Sequence, residues 1–229
     1  MSEVINPKLI KDLRGLVVSC QAYPGEPMRH PETIAQLAES AVLGGARGVR
    51  IQGIADISFV AGRCEVPIIG LWKHGQDGVF ITPTLRHARA VRDAGADIVA
   101  LDGTRRSRPD GLTLAETVRG LKSDGEVLVM ADCGSLPDAL AAAESGADLI
   151  GTTLAGYTDE RPALDGPDLE LITEIREALP DLPLVAEGRV HTPAQAAAVL
   201  AAGADTVVVG TAITHPISIT RWFVDATAG

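Results

Sequence analysis

Two residues that could move a proton stand where short apolar runs end. Lys73 closes "VPIIGLWK" (66–73), and Glu187 lies near the end of "LPLVAEG" (182–188). A lysine at such a position often packs its stem and leaves its ammonium in water. A lysine and a carboxylate that face one carbon atom can also remove and return a proton there. The choice between these interpretations depends on how many other runs end in polar residues.

Two neighbouring loops carry small residues typical of a phosphate site. "AEGRVHTP" contains Gly188 and Arg189, and "VVGTAITHP" contains Gly210 and Thr211. Glycines let the backbone N–H groups approach an anion closely, and Arg and Thr side chains add donors. The alternative is that the glycines only make tight turns. Because two loops share the pattern, we expect a phosphate-binding corner.

The sequence indicates no metal site. The five histidines form no H-x-H or H-E-x-x-H motif, and no cysteine lies at ligand spacing. A divalent ion held by Asp102, Asp132 and Glu187 is the less favoured alternative. Cys20, Cys64 and Cys133 lie far apart without a C-x-x-C pair. Reduced thiols in a cytoplasmic protein are the expected reading. Residues 1–15 contain scattered charges and no apolar core of a signal peptide.

A repeated phrase predicts the elements that hold these residues. Gly-Ala pairs begin at 45, 95, 146 and 203, each after an Ala/Leu-rich helical pattern and before a β-branched run. We read each as a helix ended by glycine and a tight turn into a buried strand. The spacings of 50, 51 and 57 residues fit two strand–helix units each.

A second strand is expected inside each interval. The runs at 15–21, 66–73, 126–132 and 182–188 are short, apolar and preceded by a turn or proline. Eight strands alternating with helices predict a (β/α)₈ barrel, an α/β fold, as a single domain over residues 1–229. A doubly wound open sheet is the alternative.

Composition agrees with the barrel and limits the partners. Apolar residues make up 46% of the chain and aromatic residues only 3%, which suits parallel strands covered by Ala-rich helices. The net charge of −10 argues against nucleic acid or an anionic membrane as partner. No apolar stretch approaches the roughly 18 residues of a membrane span. An anionic small molecule would need a local cationic site.

The barrel brings the strand ends to one rim. Nearly every predicted strand ends in a polar residue, where a purely structural barrel needs none. Lys73 and Glu187, on strands three and seven of eight, should face each other across the mouth. A structural ion pair is the alternative for these two residues.

With these residues in place, the chain resembles the N-acetylmannosamine-6-phosphate 2-epimerase family of the NanE type. The resemblance rests on "GLVVSCQAYPGEP", "GVRIQG", "VPIIGLWK", "GTTLAGYT", "AEGRVHTP" and "VVVGTAIT", in this order along nearly the whole chain. It implies a cofactor-free barrel enzyme of sialic acid catabolism. Such an enzyme interconverts N-acetylmannosamine 6-phosphate and N-acetylglucosamine 6-phosphate. A homodimer is the family expectation, with "ISITRWFVDATAG" as a plausible contact.

The resemblance also implies roles for single residues. Lys73 matches the lysine that removes the C2 proton of the open-chain sugar, and Glu187 the carboxylate of proton return or ring opening. Polar positions implied to hold the sugar are Gln21, Arg50 and Asp132, with Thr153 and Tyr157 from "GTTLAGYT" as further candidates. The loops of Gly188, Arg189, Gly210 and Thr211 match the phosphate corner.

One position departs from the family pattern. The chain has His215 between Thr214 and Pro216, where the family typically has an arginine that is expected to grip the phosphate. Histidine is shorter and only partly charged at neutral pH. We keep His215 as a candidate phosphate contact.

Two other functions are compatible with the same residues. A phosphate-binding barrel could use Lys73 as the Schiff-base lysine of an aldolase. A protein of a different class, a sugar-phosphate sensor, could bind the ligand without exchanging its proton. An opposed acid and base favours the epimerase over the sensor.

Overall fold

The computed structural model describes residues 7–228, which form a closed barrel of eight parallel strands. The strands are β1 (Gly15–Cys20), β2 (Gly48–Gln52), β3 (Ile68–Leu71), β4 (Ile98–Asp102), β5 (Leu128–Asp132), β6 (Leu149–Gly151), β7 (Leu184–Glu187) and β8 (Thr206–Val209). Each strand pairs with the next, and β8 pairs with β1. The predicted (β/α)₈ fold is confirmed, and the open sheet is excluded.

Helices alternate with the strands throughout. They are α1 (Pro7–Leu13), α2 (Pro31–Leu43), α3 (Ile54–Ala61), α4 (Leu85–Asp93), α5 (Leu114–Ser123), α6 (Leu136–Glu144), α7 (Leu169–Ala178), α8 (Pro193–Ala201), α9 (Thr211–Thr214) and α10 (Pro216–Thr227). Among residues 7–228, no helix is long and apolar enough to cross a bilayer.

The repeated Gly-Ala phrase forms the same helix end four times. After α2, the N–H of Ala46 donates to the carbonyl of Ala41 at 3.0 Å, and that of Gly45 to the carbonyl of Val42 at 2.9 Å. This pair of bonds is the Schellman motif, and it recurs at 95–96, 146–147 and 203–204. The four glycines have φ between 87° and 114°. Each stands one residue beyond the cap position that the sequence suggested.

The barrel interior is aliphatic and closed at one end. Alternate strand residues such as Val17, Ile69 and Val185 form one buried cluster that also contains Leu13 of α1. Thr206, at the start of β8, donates its hydroxyl to the carbonyl of Leu13 at 3.2 Å. Helix α1 therefore covers the end at which the strands begin, and the polar strand ends occupy the opposite end.

The chain after β3 differs from the predicted strand. Strand β3 ends at Leu71, two residues before Lys73. Lys73 instead forms an antiparallel bridge with Ile81, and the N–H of Thr82 donates to the carbonyl of Trp72 at 2.9 Å. The N–H of Asp102 donates to the carbonyl of Ile81 at 3.0 Å, which ties this hairpin to β4. Lys73 is therefore presented from a hairpin over the barrel mouth.

Candidate active site

A cavity of about 390 Å³ opens at the carboxyl ends of the strands. This volume lies within the roughly 300–1,000 Å³ of small-molecule sites. Eleven of the twelve candidate residues line it: Lys73, Glu187, Gln21, Arg50, Thr153, Tyr157, Gly188, Arg189, Gly210, Thr211 and His215. The twelfth, Asp132, is fully buried and does not line the cavity.

Lys73 is held by the loop that follows β1. Its Nζ donates to Oε1 of Gln21 at 3.0 Å, and Nε2 of Gln21 donates to the hydroxyl of Ser19 at 2.8 Å. The Tyr23 ring lies 5.4 Å from Nζ, within the range of a cation–π contact. Burial of the amine, followed by the nearby charge of Arg50, lowers the pKa of Lys73. The lower pKa makes a neutral, proton-accepting amine easier to form.

A buried arginine on β2, the strand next to β3, lies between two carboxylates. Arg50, at the middle of β2, donates from Nη1 and Nη2 to the two oxygens of Asp132 at 3.2 and 2.7 Å. Its Nε lies 3.1 Å from Oε2 of Glu187, yet the Nε–H makes no hydrogen bond to any acceptor among residues 7–228. The Arg50 and Asp132 side chains are 1% and 0% exposed, so this pair forms the floor of the site. The buried carboxylate of Asp132 is therefore paired with the charge of Arg50 through two hydrogen bonds.

Two threonines after β6 fix Glu187. The Thr152 hydroxyl donates to the carbonyl of Glu187 and accepts from its N–H, both at 3.0 Å. The Thr153 hydroxyl lies 2.6 Å from Oδ1 of Asp132 and 3.0 Å from Oε2 of Glu187. Main chain and side chain of Glu187 are therefore both held by neighbouring strands.

The carboxyl of Glu187 is set up to hold a proton. Burial raises the pKa of Glu187, opposed by the charge of Arg50 and supported by that of Asp132. The pKa of Lys73 is shifted in the opposite direction, to a lower value. An amine and a carboxyl with pKa values moved toward neutrality, both on one cavity, form a proton-transfer pair.

The loops after β7 and β8 provide anion donors. Arg189 has φ of 55°, and its Nε and Nη2 donate to the carbonyls of Gly166 and Ala155 at 3.2 and 2.9 Å. Among residues 7–228 its Nη1 makes no hydrogen bond, and the residue lines the cavity. At Gly210, an added Cβ would lie 3.2 Å from the Cβ of Ser19, so the small residue allows this close approach of β8 to β1.

His215 reaches the cavity with both ring nitrogens engaged. Its Nδ1 lies 2.7 Å from the Ser218 hydroxyl, and its Nε2 lies 2.7 Å from Oε1 of Glu26. The ring caps the first turn of α10, because Nδ1 accepts from the Ser218 N–H. The geometry therefore favours Arg189 over His215 as the principal phosphate cation.

Sequence reasoning did not select several residues of the cavity wall. Tyr23, which lies beside Lys73, and His191, whose ring centroid is 4.9 Å from that of Trp222, both line the cavity. Both stand in phrases that carry the family resemblance, which was the available signal. Phe80 comes from the hairpin after Lys73, and no strand-end pattern indicates it.

The residues that the structure describes do not meet the requirements of a metal site. Within residues 7–228, no three His, Cys, Asp or Glu residues are grouped so as to hold an ion. A second cavity, of about 360 Å³, lies elsewhere on the barrel. It is lined by Trp72, His74, Thr84, Arg86, His87 and Asp110, none of which is a candidate residue.

Known proteins with this sequence pattern are epimerases by name. The NanE family of N-acetylmannosamine-6-phosphate epimerases matches residues 34–229. A protein of Cutibacterium acnes that is named for N-acetylmannosamine-6-phosphate 2-epimerase activity is 64% identical over 93% of each chain. One of Caldanaerobacter subterraneus is 45% identical over 92% of this chain and 90% of its own.

Solved structures agree. The N-acetylmannosamine-6-phosphate 2-epimerase from Clostridium perfringens superposes with a TM-score of 0.92 at 33% identity, covering 99% of both chains. A thiamine phosphate pyrophosphorylase from Pyrococcus furiosus has a TM-score of 0.60 at 18% identity and shares the fold alone. The family match, the sequence relatives and the closely superposing structure point to the same group of proteins: the chain belongs to the NanE family.

Proposed function

We propose that this protein interconverts N-acetylmannosamine 6-phosphate and N-acetylglucosamine 6-phosphate by removing and returning the proton on C2. The observation that carries the proposal is the placement of Lys73 and Glu187 on one cavity beside the cation of Arg189. The family relatives named for this activity support it.

The chemistry requires an open-chain sugar. Once C1 is an aldehyde, the C2 proton is acidic because its loss gives an enol or enolate conjugated with C1. Neutral Lys73 accepts that proton, and Glu187 supplies one to the opposite face of C2. Donors in the site stabilise the developing oxyanion. Inversion at C2 follows from having the two groups on different walls.

The phosphate is assigned to the corner after β7 and β8. Arg189 offers Nη1, and the loops of Gly188, Gly210 and Thr211 line the same part of the cavity. A charge-assisted hydrogen bond from a guanidinium is among the stronger polar contacts. Such a local cation offsets the negative charge of the whole chain.

Proton NMR in D₂O tests the function. The phosphorylated manno sugar is incubated with the protein, and we expect deuterium at C2 together with the gluco epimer. Binding without exchange would identify a sensor instead. Repetition with unphosphorylated N-acetylmannosamine measures how much the phosphate contributes.

An aldolase would use the same lysine differently. A Schiff base between Lys73 and a carbonyl substrate is trapped by borohydride, whereas proton abstraction forms no imine. We expect no covalent adduct in a mass spectrum after borohydride treatment with substrate. A stable adduct on Lys73 would replace the epimerase by the aldolase.

We also propose that the protein is a homodimer that pairs through α10. None of the described residues of α10 is buried, and Ile217, Trp222, Phe223 and Val224 are 42%, 39%, 69% and 56% exposed. Aromatic and apolar side chains of this kind dominate interface cores. Sedimentation should show that Phe223→Asp gives a monomer while the control Leu43→Asp, at an exposed apolar residue of α2, does not.

A cytoplasmic location is the final part of the proposal. Cys20, Cys64 and Cys133 are all free thiols, two of them buried. Unpaired cysteines fit a reducing compartment.

A further inference from the structure

A single hydroxyl lies between the two carboxyl groups of the site. Oγ1 of Thr153 is 2.6 Å from Oδ1 of Asp132 and 3.0 Å from Oε2 of Glu187. A threonine hydroxyl has one hydrogen and can donate to only one of these oxygens. The other contact must be supplied with a hydrogen from elsewhere, or two oxygens with lone pairs face each other.

The Thr153 hydroxyl donates its hydrogen bond to Asp132. Asp132 accepts two hydrogen bonds from Arg50 and is completely buried, so it is the carboxylate that is matched by a cation. Its contact with Thr153 is the shorter of the two, as expected for a hydroxyl that donates to an ionised oxygen. Oγ1 of Thr153 then turns a lone pair toward Glu187.

The contact to Glu187 is satisfied if Glu187 is the donor. Arg50 does not contradict this, because its Nε lies 3.1 Å from Oε2 without an N–H directed at it. We propose that Glu187 rests protonated, donates from Oε2 to Thr153, and that Thr153 is a positioning residue that aims this proton. The inference rests on the proposed epimerase, in which Glu187 supplies a proton to C2.

The charges facing Glu187 balance in this arrangement. They come from Arg50 on β2, Lys73 after β3, Asp132 on β5 and Tyr23 after β1. Arg50 and Asp132 neutralise each other, and Lys73 in the neutral form that the proposed proton abstraction requires leaves no second cation for an ionised Glu187. A largely desolvated carboxyl without its own cation prefers its neutral form, and the Glu187 side chain is only 15% exposed.

The proton count closes over one turnover. Neutral Lys73 takes the C2 proton and becomes an ammonium, while the O–H bond of Glu187 breaks as a new C–H bond forms on the opposite face of C2. Glu187 then carries the negative charge, and one proton passing from Lys73 to Glu187 restores the starting state. No oxidant, reductant or co-reactant is needed.

Infrared spectroscopy detects the proton without turnover. The difference between the wild type and Glu187→Gln at neutral pH isolates the carbonyl band of a protonated Glu187, because other carboxyl groups cancel. We expect that band in the wild type, its shift or loss in Thr153→Val, and its rescue in Thr153→Ser. Absence of the band in the wild type would overturn the inference, even if epimerase activity is found.

The direction in which the pH profile of kcat shifts in a Thr153 variant distinguishes two roles for Thr153. If Glu187 donates to Thr153, removing the acceptor disfavours the protonated carboxyl, and the alkaline limb of kcat moves to lower pH in Thr153→Val. A Thr153 that donates to an ionised Glu187 would move the limb to higher pH. We expect the shift to lower pH. Above the limb, kcat of Thr153→Val should be about tenfold lower than that of the wild type, and KM should change little. This loss in kcat is smaller than the roughly 10²–10⁴-fold effect of a lost general acid. An upward shift or an unmoved limb contradicts the proposal.

Two controls complete the test. Thr117→Val removes another buried threonine hydroxyl, on α5, remote from the cavity, and should leave the limb in place. If Thr153→Val fails to fold, the wild-type band still decides whether Glu187 carries a proton, and Thr153→Ala, which also lacks the hydroxyl, supplies the pH profile. If the wild type shows the band but no exchange at C2, the epimerase proposal fails and the protonated carboxyl stands.

Discussion

The side chains of the site differ in how many of their donors and acceptors are already occupied. Asp132 is saturated by Arg50 and Thr153, and both nitrogens of His215 are engaged. Lys73 has one hydrogen bond, to Gln21, and Arg189 retains an unpaired Nη1 among residues 7–228. The less occupied groups are the ones that can act on a bound sugar.

Removal of either member of the proton-transfer pair should stop the reaction. We expect Lys73→Ala and Glu187→Gln each to lower kcat by roughly 10²-fold or more, because each removes a general acid or base. The NMR assay in D₂O measures both variants, and circular dichroism checks the fold. Lys8→Ala, at an 84% exposed lysine, is the control. Near-normal turnover in either test variant would refute the assigned role.

Binding of the substrate phosphate should depend more on Arg189 than on His215. Arg189→Gln removes a charged hydrogen bond worth about 1.5–3 kcal/mol, so KM for the phosphorylated sugar should rise about 10- to 100-fold. His215→Gln should change that KM only slightly, since both ring nitrogens already have partners. KM for the unphosphorylated sugar is the reference in both cases. The reverse order of effects would move the phosphate contact to His215.

Sequence could identify the polar residues of the mouth and could not show how they share hydrogen bonds. The spacing placed Asp132 at a strand end that faces the ligand. In the structure Asp132 is fully buried and does not line the cavity, and Arg50 reaches it from β2. His215 was likewise expected to face the phosphate, and its pairing with Glu26 spans 189 positions of the chain. Contacts over such separations depend on the closed barrel and leave no local pattern.

At the scale of elements, the four Schellman turns have a specific requirement for glycine. Gly45 and Gly95 have φ of 96° and 106°, which L-residues rarely adopt. An added Cβ at Gly95 would lie 2.8 Å from the Cβ of Ala61, whereas at Gly45 nothing lies within 4 Å. The two sites therefore separate backbone strain from a steric clash.

This pair yields a stability prediction. Gly45→Ala should lower the free energy of unfolding by about 1–2 kcal/mol from the left-handed backbone alone. Gly95→Ala should lower it further, because α3 must also shift. Urea unfolding of both variants measures the difference. Equal losses would mean that the contact with Ala61 relaxes without cost.

These turns also explain why the fold was predictable and the hairpin was not. A Gly-Ala pair before a β-branched run predicts the end of a helix and the start of a strand within a few residues, and this pattern occurs four times. Lys73 follows an apolar run that reads as strand to its last residue, yet β3 ends at Leu71. The bridge from Lys73 to Ile81 is set by packing over the mouth, which periodicity does not report.

Over the whole molecule, the proton-transfer pair should reduce stability, with opposite pH dependences for its two members. The pKa of Glu187 is raised by burial, so the folded state keeps a proton that the unfolded chain releases. Its cost to stability therefore grows as the pH rises from the ordinary glutamate pKa toward the raised one. The pKa of Lys73 is lowered by burial, so its cost grows as the pH falls from the ordinary lysine pKa toward the lowered one.

Two variants test these signs. The stability gained by Glu187→Gln should increase as the pH rises above the ordinary glutamate pKa, and that gained by Lys73→Met should increase as the pH falls below the ordinary lysine pKa. Urea titrations of each variant against the wild type give the two slopes. A slope of the opposite sign for either residue would mean that its pKa moves the other way on folding.

The unaligned N–H of Arg50 has a consequence for the moment at which Glu187 loses its proton. This Nε–H lies 3.1 Å from Oε2 of Glu187 and makes no hydrogen bond within residues 7–228, so it is available to stabilise charge there. When negative charge arises on that carboxyl, a small turn of the group aligns it with a guanidinium already in place, and no water need enter. The negative charge that forms on Glu187 is therefore stabilised by an Arg50 donor that is already in position in the folded protein.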